Sequence, residues 1–304
     1  MKVAVCYTKD NASGHAICNH FLEGVIANGD EAVPVYSVND LSALEHCDVS
    51  FQVCEYPDFL TPSSKAELRW RVQEKQKQLG KRRIIADAGF VGHERKHGEK
   101  QFGASTYYSI GFDSVKGHAN FYNQNSPNTR WDKLKVELKP WRTEGDHILV
   151  LGQNLKGVGT TNMRKTHPHP EHWFIEKVQE LALLTNRKIV LRPHPLEKKR
   201  RYKDDKNGLG CAEVSTNSKL SNDLKNCWCV FTGTSNAAVD AIINGVPVVC
   251  DDTLSVVYDV SNRRLSGNLE MPNRTQWACN LAYAQWSLLE MSLGLCWKHL
   301  REKV

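Results

Sequence analysis

The stretch Val230–Val249, VFTGTSNAAVDAIINGVPVV, passes from an apolar strand through five small polar residues into a helix. Ser235 or Asn236 could simply cap that helix, whose first N–H groups lack partners. Yet Thr232, Gly233, Thr234, Ser235 and Asn236 carry more donors than one cap uses, and Gly233 lets backbone approach closely. A phosphate seated there would meet hydroxyls, amide protons and the positive end of a helix dipole. A second stretch, Arg192-Pro193-His194-Pro195, follows the apolar run KIVL. Its prolines bar an immediate helix and carry Arg192 and His194 past the sheet edge. There a guanidinium fork and an imidazole can each donate to a phosphate oxygen, although a surface turn is the plainer reading. A third stretch, GQNLKGVGTT at 152–161, could bring Gly157, Gly159 and Lys156 to a diphosphate. Neither GxGxxG nor GxxxxGK[ST] occurs, which argues against dinucleotide binding and P-loop phosphoryl transfer.

A hydroxyl acceptor in an inverting reaction needs a general base within hydrogen-bond reach. The candidates are Asp87 at the end of RIIA, Asp113 in GFDSVKGHANF, and His15 just after Ser13-Gly14. Each could equally be a cap or turn residue. A retaining reaction would need none of them as a base.

The elements that must position these residues alternate. Apolar runs at 2–7, 32–36, 49–53 and 83–86 read as strands, and helical spacing covers 13–27 and 65–78. The span 90–144 has no sustained period and reads as irregular. Strands return at 147–151, 188–192, 228–231 and 247–250, with helices over 170–185 and 236–244. A single long helix is predicted from about Arg274 to Leu300, its Trp277, Trp286 and Trp297 serving core or interdomain packing. Strands separated by helices imply parallel sheets, whose ligands gather at the carboxyl ends. The fold class is therefore α/β, with two facing Rossmann-like domains. The domains are an acceptor-binding 1–145, a donor-binding 146–273, and a C-terminal helix, 274–304.

RPHP followed by TGTSNAAVDAIINGVPVV resembles the donor half of GT-B glycosyltransferases, over roughly residues 147–300. The branch it resembles includes capsule-sugar and sialic-acid transferases and several phage enzymes. The resemblance implies that the second domain holds the nucleoside diphosphate of a sugar donor, a UDP-sugar being the family's commonest. It also implies that the last helix crosses back to the first domain. Arg192, His194, Thr234 and Ser235 would then bind the diphosphate. Fixed donors would stabilise charge on the departing phosphate without a metal or cofactor; no DxD stands where a metal-dependent transferase would want one.

Three acceptor readings follow. One is a hydroxymethylated pyrimidine, such as 5-hydroxymethylcytosine, in double-stranded DNA, as in phage DNA-modifying enzymes. Its support is the basic run Lys198–Arg201, in which Lys199, Arg200 and Arg201 would meet phosphates. The second is a surface or capsule polysaccharide, and the third a non-catalytic binding module. The chain has 304 residues, 40% hydrophobic and 24% charged, with a net charge of +6. That suits a globular protein, a monomer or weak oligomer. No apolar run is long enough for stable membrane insertion, and MKVAVCYTKD reads as a first strand rather than a signal peptide. Ten dispersed cysteines with no CxxC read as reduced, packed thiols. A cytoplasmic location follows, that of the host if the gene is a phage's.

Overall fold

The computed structural model describes residues 1–7, 12–64, 66–91, 106–197 and 210–304. The chain forms two compact units: Met1–Leu134 with Ala278–Val304, and Lys135–Trp277.

In the first unit, β1 (Lys2–Cys6), β2 (Glu31–Val35), β3 (Val49–Val53) and β4 (Arg83–Ala88) alternate with α1 (Ala12–Ala27) and α2 (Glu67–Leu79). These four strands are parallel, in the order β2-β1-β3-β4. Ile17, Phe21 and Val25 recur at helical spacing on α1 and are buried. Phe21 stacks on Phe51 at 3.8 Å and meets the edge of Trp297 at 6.0 Å. Each such buried aromatic stabilises by roughly 1.5–3 kcal/mol.

The span read as irregular contains β5 (Tyr107–Phe112), antiparallel to β4, and α3 (Thr129–Leu134). Residues Tyr108–Phe112 of β5 are all buried, so the strand shows none of the alternation by which a half-buried strand is recognised. The predicted C-terminal helix is also corrected. It divides into α8 (Thr275–Tyr283), the strand β11 (Gln285–Ser287), α9 (Leu288–Ser292) and α10 (Leu295–Arg301). The strand β11 pairs antiparallel with β5. Ser287 and Glu290 form a capping box that starts α9, and Gly294 at φ +76° separates α9 from α10. Arg130 fastens this segment, donating to both carboxylate oxygens of Glu290 and to the carbonyls of Ala282 and Gln285.

In the second unit, β6 (His147–Leu151), β7 (Lys188–Arg192), β8 (Ala212–Val214), β9 (Cys227–Thr232) and β10 (Val248–Val249) form one parallel sheet. Its order is β10-β9-β6-β7-β8. The connecting helices are α4 (Thr161–Thr166), α5 (Pro170–Leu184), α6 (Leu220–Asp223) and α7 (Ala237–Ile243). Pro170 stands in the first turn of α5, where its missing N–H costs nothing. Residues 135–146 belong to this unit because they bind it. Lys139 N donates to Ile243 O, Arg142 to the carbonyls of Leu224 and Cys227, and Trp141 to Pro272 O. The buried Arg274 guanidinium lies 3.9 Å over the Trp141 ring.

Among the described residues, all ten thiols are free and no helix is long and apolar enough to cross a membrane. Eight of the thiols are buried, and burial pushes Cys18 and Cys227 up to about 12.

Candidate functional site

The strand order of the second sheet reverses at β6: the chain proceeds through β7 and β8 on one side, then returns to β9 and β10 on the other. The turns leaving β6 and β9 therefore diverge at a topological switch point, the place where open α/β sheets take ligands.

Three turns converge there. Gly152 N donates to Arg192 O at 2.8 Å, and Leu155 N donates to Glu197 Oε1 at 3.0 Å, joining the turn after β6 to the turn after β7. Thr234 N donates to Gln153 Oε1 at 2.6 Å, joining the turn after β9. A Cβ at Gly159 would lie 2.5 Å from Thr234 Oγ1, and one at Gly233 would lie 2.5 Å from Gln153 Oε1. These two glycines are packing requirements. Gly157 is not, since a Cβ there meets nothing nearer than 3.4 Å.

Thr234 is buried, and its hydroxyl donates to Gly159 O at 2.8 Å. Ser235 is half-buried, and the helix it precedes, α7, has no side-chain cap. The buried Thr232 Oγ1 and the Oδ1 of Asn236 have no hydrogen-bond partner among the described residues. Unpaired buried polar atoms are costly, about 1–3 kcal/mol each, which suits a site completed by a polar ligand.

The turn after β7 borders an open cavity of about 170 Å³, lined by Arg192, Pro193, His194, Pro195, Glu197, Ser215, Asn217 and Ser218. Nδ1 of His194 accepts from Leu196 N at 3.2 Å, so the neutral ring carries its proton on Nε2. Arg192 is held from within. It donates to Asp223 Oδ2 at 2.5 Å and to the carbonyls of Asn217 and Ser218. Asp223 is 4% exposed and also accepts from Ser215 Oγ and Asn217 Nδ2. The guanidinium expected to reach a phosphate thus shapes one wall of the cavity. Lys199, Arg200 and Arg201 lie outside the described residues.

In the first unit the candidate bases separate. Asp87 stands at the carboxyl end of β4, half-buried, with Cys54 Sγ 4.0 Å from its Oδ1. His15, exposed on α1, lies edge-on to Tyr7 beyond β1, with ring centroids 5.4 Å apart. Both therefore lie at the carboxyl edge of the parallel strands. Asp113 does not. Because β5 runs antiparallel, its end lies beside the amino end of β4, and Asp113 Oδ2 is held there by Arg82 at 2.7 Å and 3.0 Å.

Sequence reading passed over Gln153, Asp223 and Glu55. Gln153 follows the apolar run HILVL by one glycine, the one available signal; Asp223 lies in the mainly polar stretch SKLSNDLKN and carries none. Burial raises the Glu55 carboxyl above its usual range, against the opposing effects of Ser114, which donates to it at 2.5 Å, and Arg83.

Among the described residues no group of three or more His, Cys, Asp or Glu side chains could hold a metal ion.

Two Rossmann-like α/β units, with the polar turns of the second at its switch point, make this a fold of the GT-B class. No protein-family model matches the chain, and no curated protein sequence does. Solved structures do match. Thermosulfurimonas dismutans KpsC, its beta Kdo 2,7 transferase, is similar with a TM-score of 0.54 at 14% identity, covering 97% of this chain and 99% of that one. The beta Kdo 2,4 transferase of the same KpsC gives 0.53 at 12% identity, covering 93% and 90%. At such identities the likeness is one of fold.

Proposed function

We propose that the chain is a glycosyltransferase that takes a nucleotide-activated sugar at the carboxyl ends of β6, β7 and β9 and transfers the sugar to a saccharide hydroxyl. The observation that carries this reading is the convergence of three polar turns on one switch point. As the bond from sugar to phosphate breaks, negative charge builds on the departing phosphate. Ser235, the amide groups at the start of α7 and Nε2–H of His194 are donors that would stabilise that charge more than the ground state. Arg192 contributes through the Ser215–Ser218 wall. On the acceptor side, Asp87 or His15 would take the hydroxyl proton, since both belong to the ligand-binding edge of their sheet; Asp113 would serve as a structural partner of Arg82.

The saccharide acceptor draws support from two sources. The chain shares its fold, end to end, with two Kdo transferases. Its RPHP and TGTSN turns also resemble those of a branch that includes capsule-sugar transferases, alongside several phage enzymes. Hydroxymethylated DNA is the alternative acceptor, and its motivating residues, Lys199, Arg200 and Arg201, gain no further support from the described ones.

The test offers UDP-sugars and other nucleotide sugars with saccharide acceptors, hydroxymethylated duplex DNA and plain DNA, and reads products by mass. Sugar added to a saccharide supports the reading. Sugar added only to DNA replaces the acceptor, and steep salt-sensitive retention on duplex DNA would accompany it. If no donor binds or reacts, the transferase reading falls.

A further inference from the structure

We infer that Gln153 is the positioning residue of the donor edge, setting the Thr232–Asn236 turn by holding Thr234; this rests on the donor reading above. Gln153 is 4% exposed, and both ends of its carboxamide are hydrogen-bonded. Oε1 accepts from Thr234 N at 2.6 Å, while Nε2 donates to Gly159 O at 2.8 Å and to Thr234 Oγ1 at 3.1 Å. The Thr234 hydroxyl donates in turn to Gly159 O. These partners fix which end of the amide is which: reversing it would set N–H against N–H at Thr234 and oxygen against oxygen at Gly159.

The consequence is a division of labour within TGTSN. Thr234 spends its N–H and hydroxyl inside the protein, so it is a strut rather than a ligand. Ser235 and Asn236, one and two residues on, are left to face the ligand. Glycine at 159 and at 233 makes room for the amide, because a side chain at either position would displace it or its threonine partner. Gln153 also follows Gly152, whose N–H binds the turn after β7. One dipeptide therefore ties the other two turns to β6. A charged isostere at 153 would oppose Gly159 O, and an apolar one would leave Thr234 N–H unpaired.

The experiment compares Gln153→Glu, Gln153→Met, Thr234→Ser and Thr234→Val with the parent chain by amide hydrogen exchange and by UDP titration. Thr234 N–H should exchange slowly in the parent and at least tenfold faster in Gln153→Met, while Cys229–Phe231 of β9 stay protected; in Gln153→Glu, whose carboxylate still accepts from Thr234 N, it should stay slow. UDP affinity should fall at least tenfold in both Gln153 variants and in Thr234→Val, and be restored to within twofold in Thr234→Ser. Protection of Thr234 that survives Gln153→Met overturns the inference. So does UDP affinity unchanged by faster exchange. A parent chain that binds no UDP, in a protein whose Thr234 responds to Gln153 as described, counts against the donor reading and leaves Gln153 as the determinant of the turn.

Discussion

Arg192 Nη1 donates to Asp223 Oδ2 at 2.5 Å, and the carboxylate it meets is buried and further bound by Ser215 and Asn217. An arginine at a strand end beside a candidate anion site is thus neutralised from behind. The same residue lines the cavity beside the turn after β7. Removing one partner of a buried, hydrogen-bonded pair strands the other charge, which costs more than the pair itself contributes.

Asp223→Ala should therefore destabilise the protein by about 3 kcal/mol or more, and Arg192→Ala by a comparable amount. Chemical denaturation measures both. Were Arg192 only a phosphate ligand, its replacement would leave the unfolding midpoint where it was.

His194→Ala and Ser235→Ala should lower turnover by roughly 10²–10³-fold, the usual effect of deleting one preorganised donor, with no loss of fold. Steady-state rates with the identified donor, alongside thermal melts, check this. Unchanged kcat in both variants removes the phosphate cradle.

Two glycines in the same turn should behave oppositely. Gly159→Ala places a methyl 2.5 Å from Thr234 Oγ1 and should cost about 1–3 kcal/mol. Gly157→Ala meets only ordinary contacts at φ −90° and should be tolerated. Equal melting temperatures for the two would contradict the packing described.

His299 gives a pH signature. Its ring lies 5.3 Å from Trp286 and 5.9 Å from Tyr283, and its Nε2 is buried and unpaired. Burial lowers its pKa, with Arg130 and Lys303 adding to the effect. Between that lowered value and the ordinary 6.5 the unfolded chain binds more protons than the folded one, so stability falls as pH drops through this window. His299→Gln should flatten the decline, as followed by unfolding free energy from pH 7.5 to 5. An unaltered slope would mean that another group controls it.

The sequence by itself determined the alternation of strands and helices, and with it two α/β units whose polar turns fall at carboxyl strand ends. That was legible because periods of 2 and 3.6 and the Gly and Pro signals are local: KIVL then RPHP, or VF then TGTSN, announce a strand and its exit without reference to the rest of the chain. Tertiary structure alone decided the rest. The pairing of β11 with β5 turned an expected helix into a strand, because Gln285 comes to lie opposite Ser109, and Ile110 N donates to Ala284 O, far along the chain. The antiparallel run of β5 carried Asp113 away from Asp87. Asp223 claimed Arg192, and Gln153 claimed Thr234, since which buried group satisfies which donor depends on the packing of distant segments and leaves no mark on neighbours in sequence.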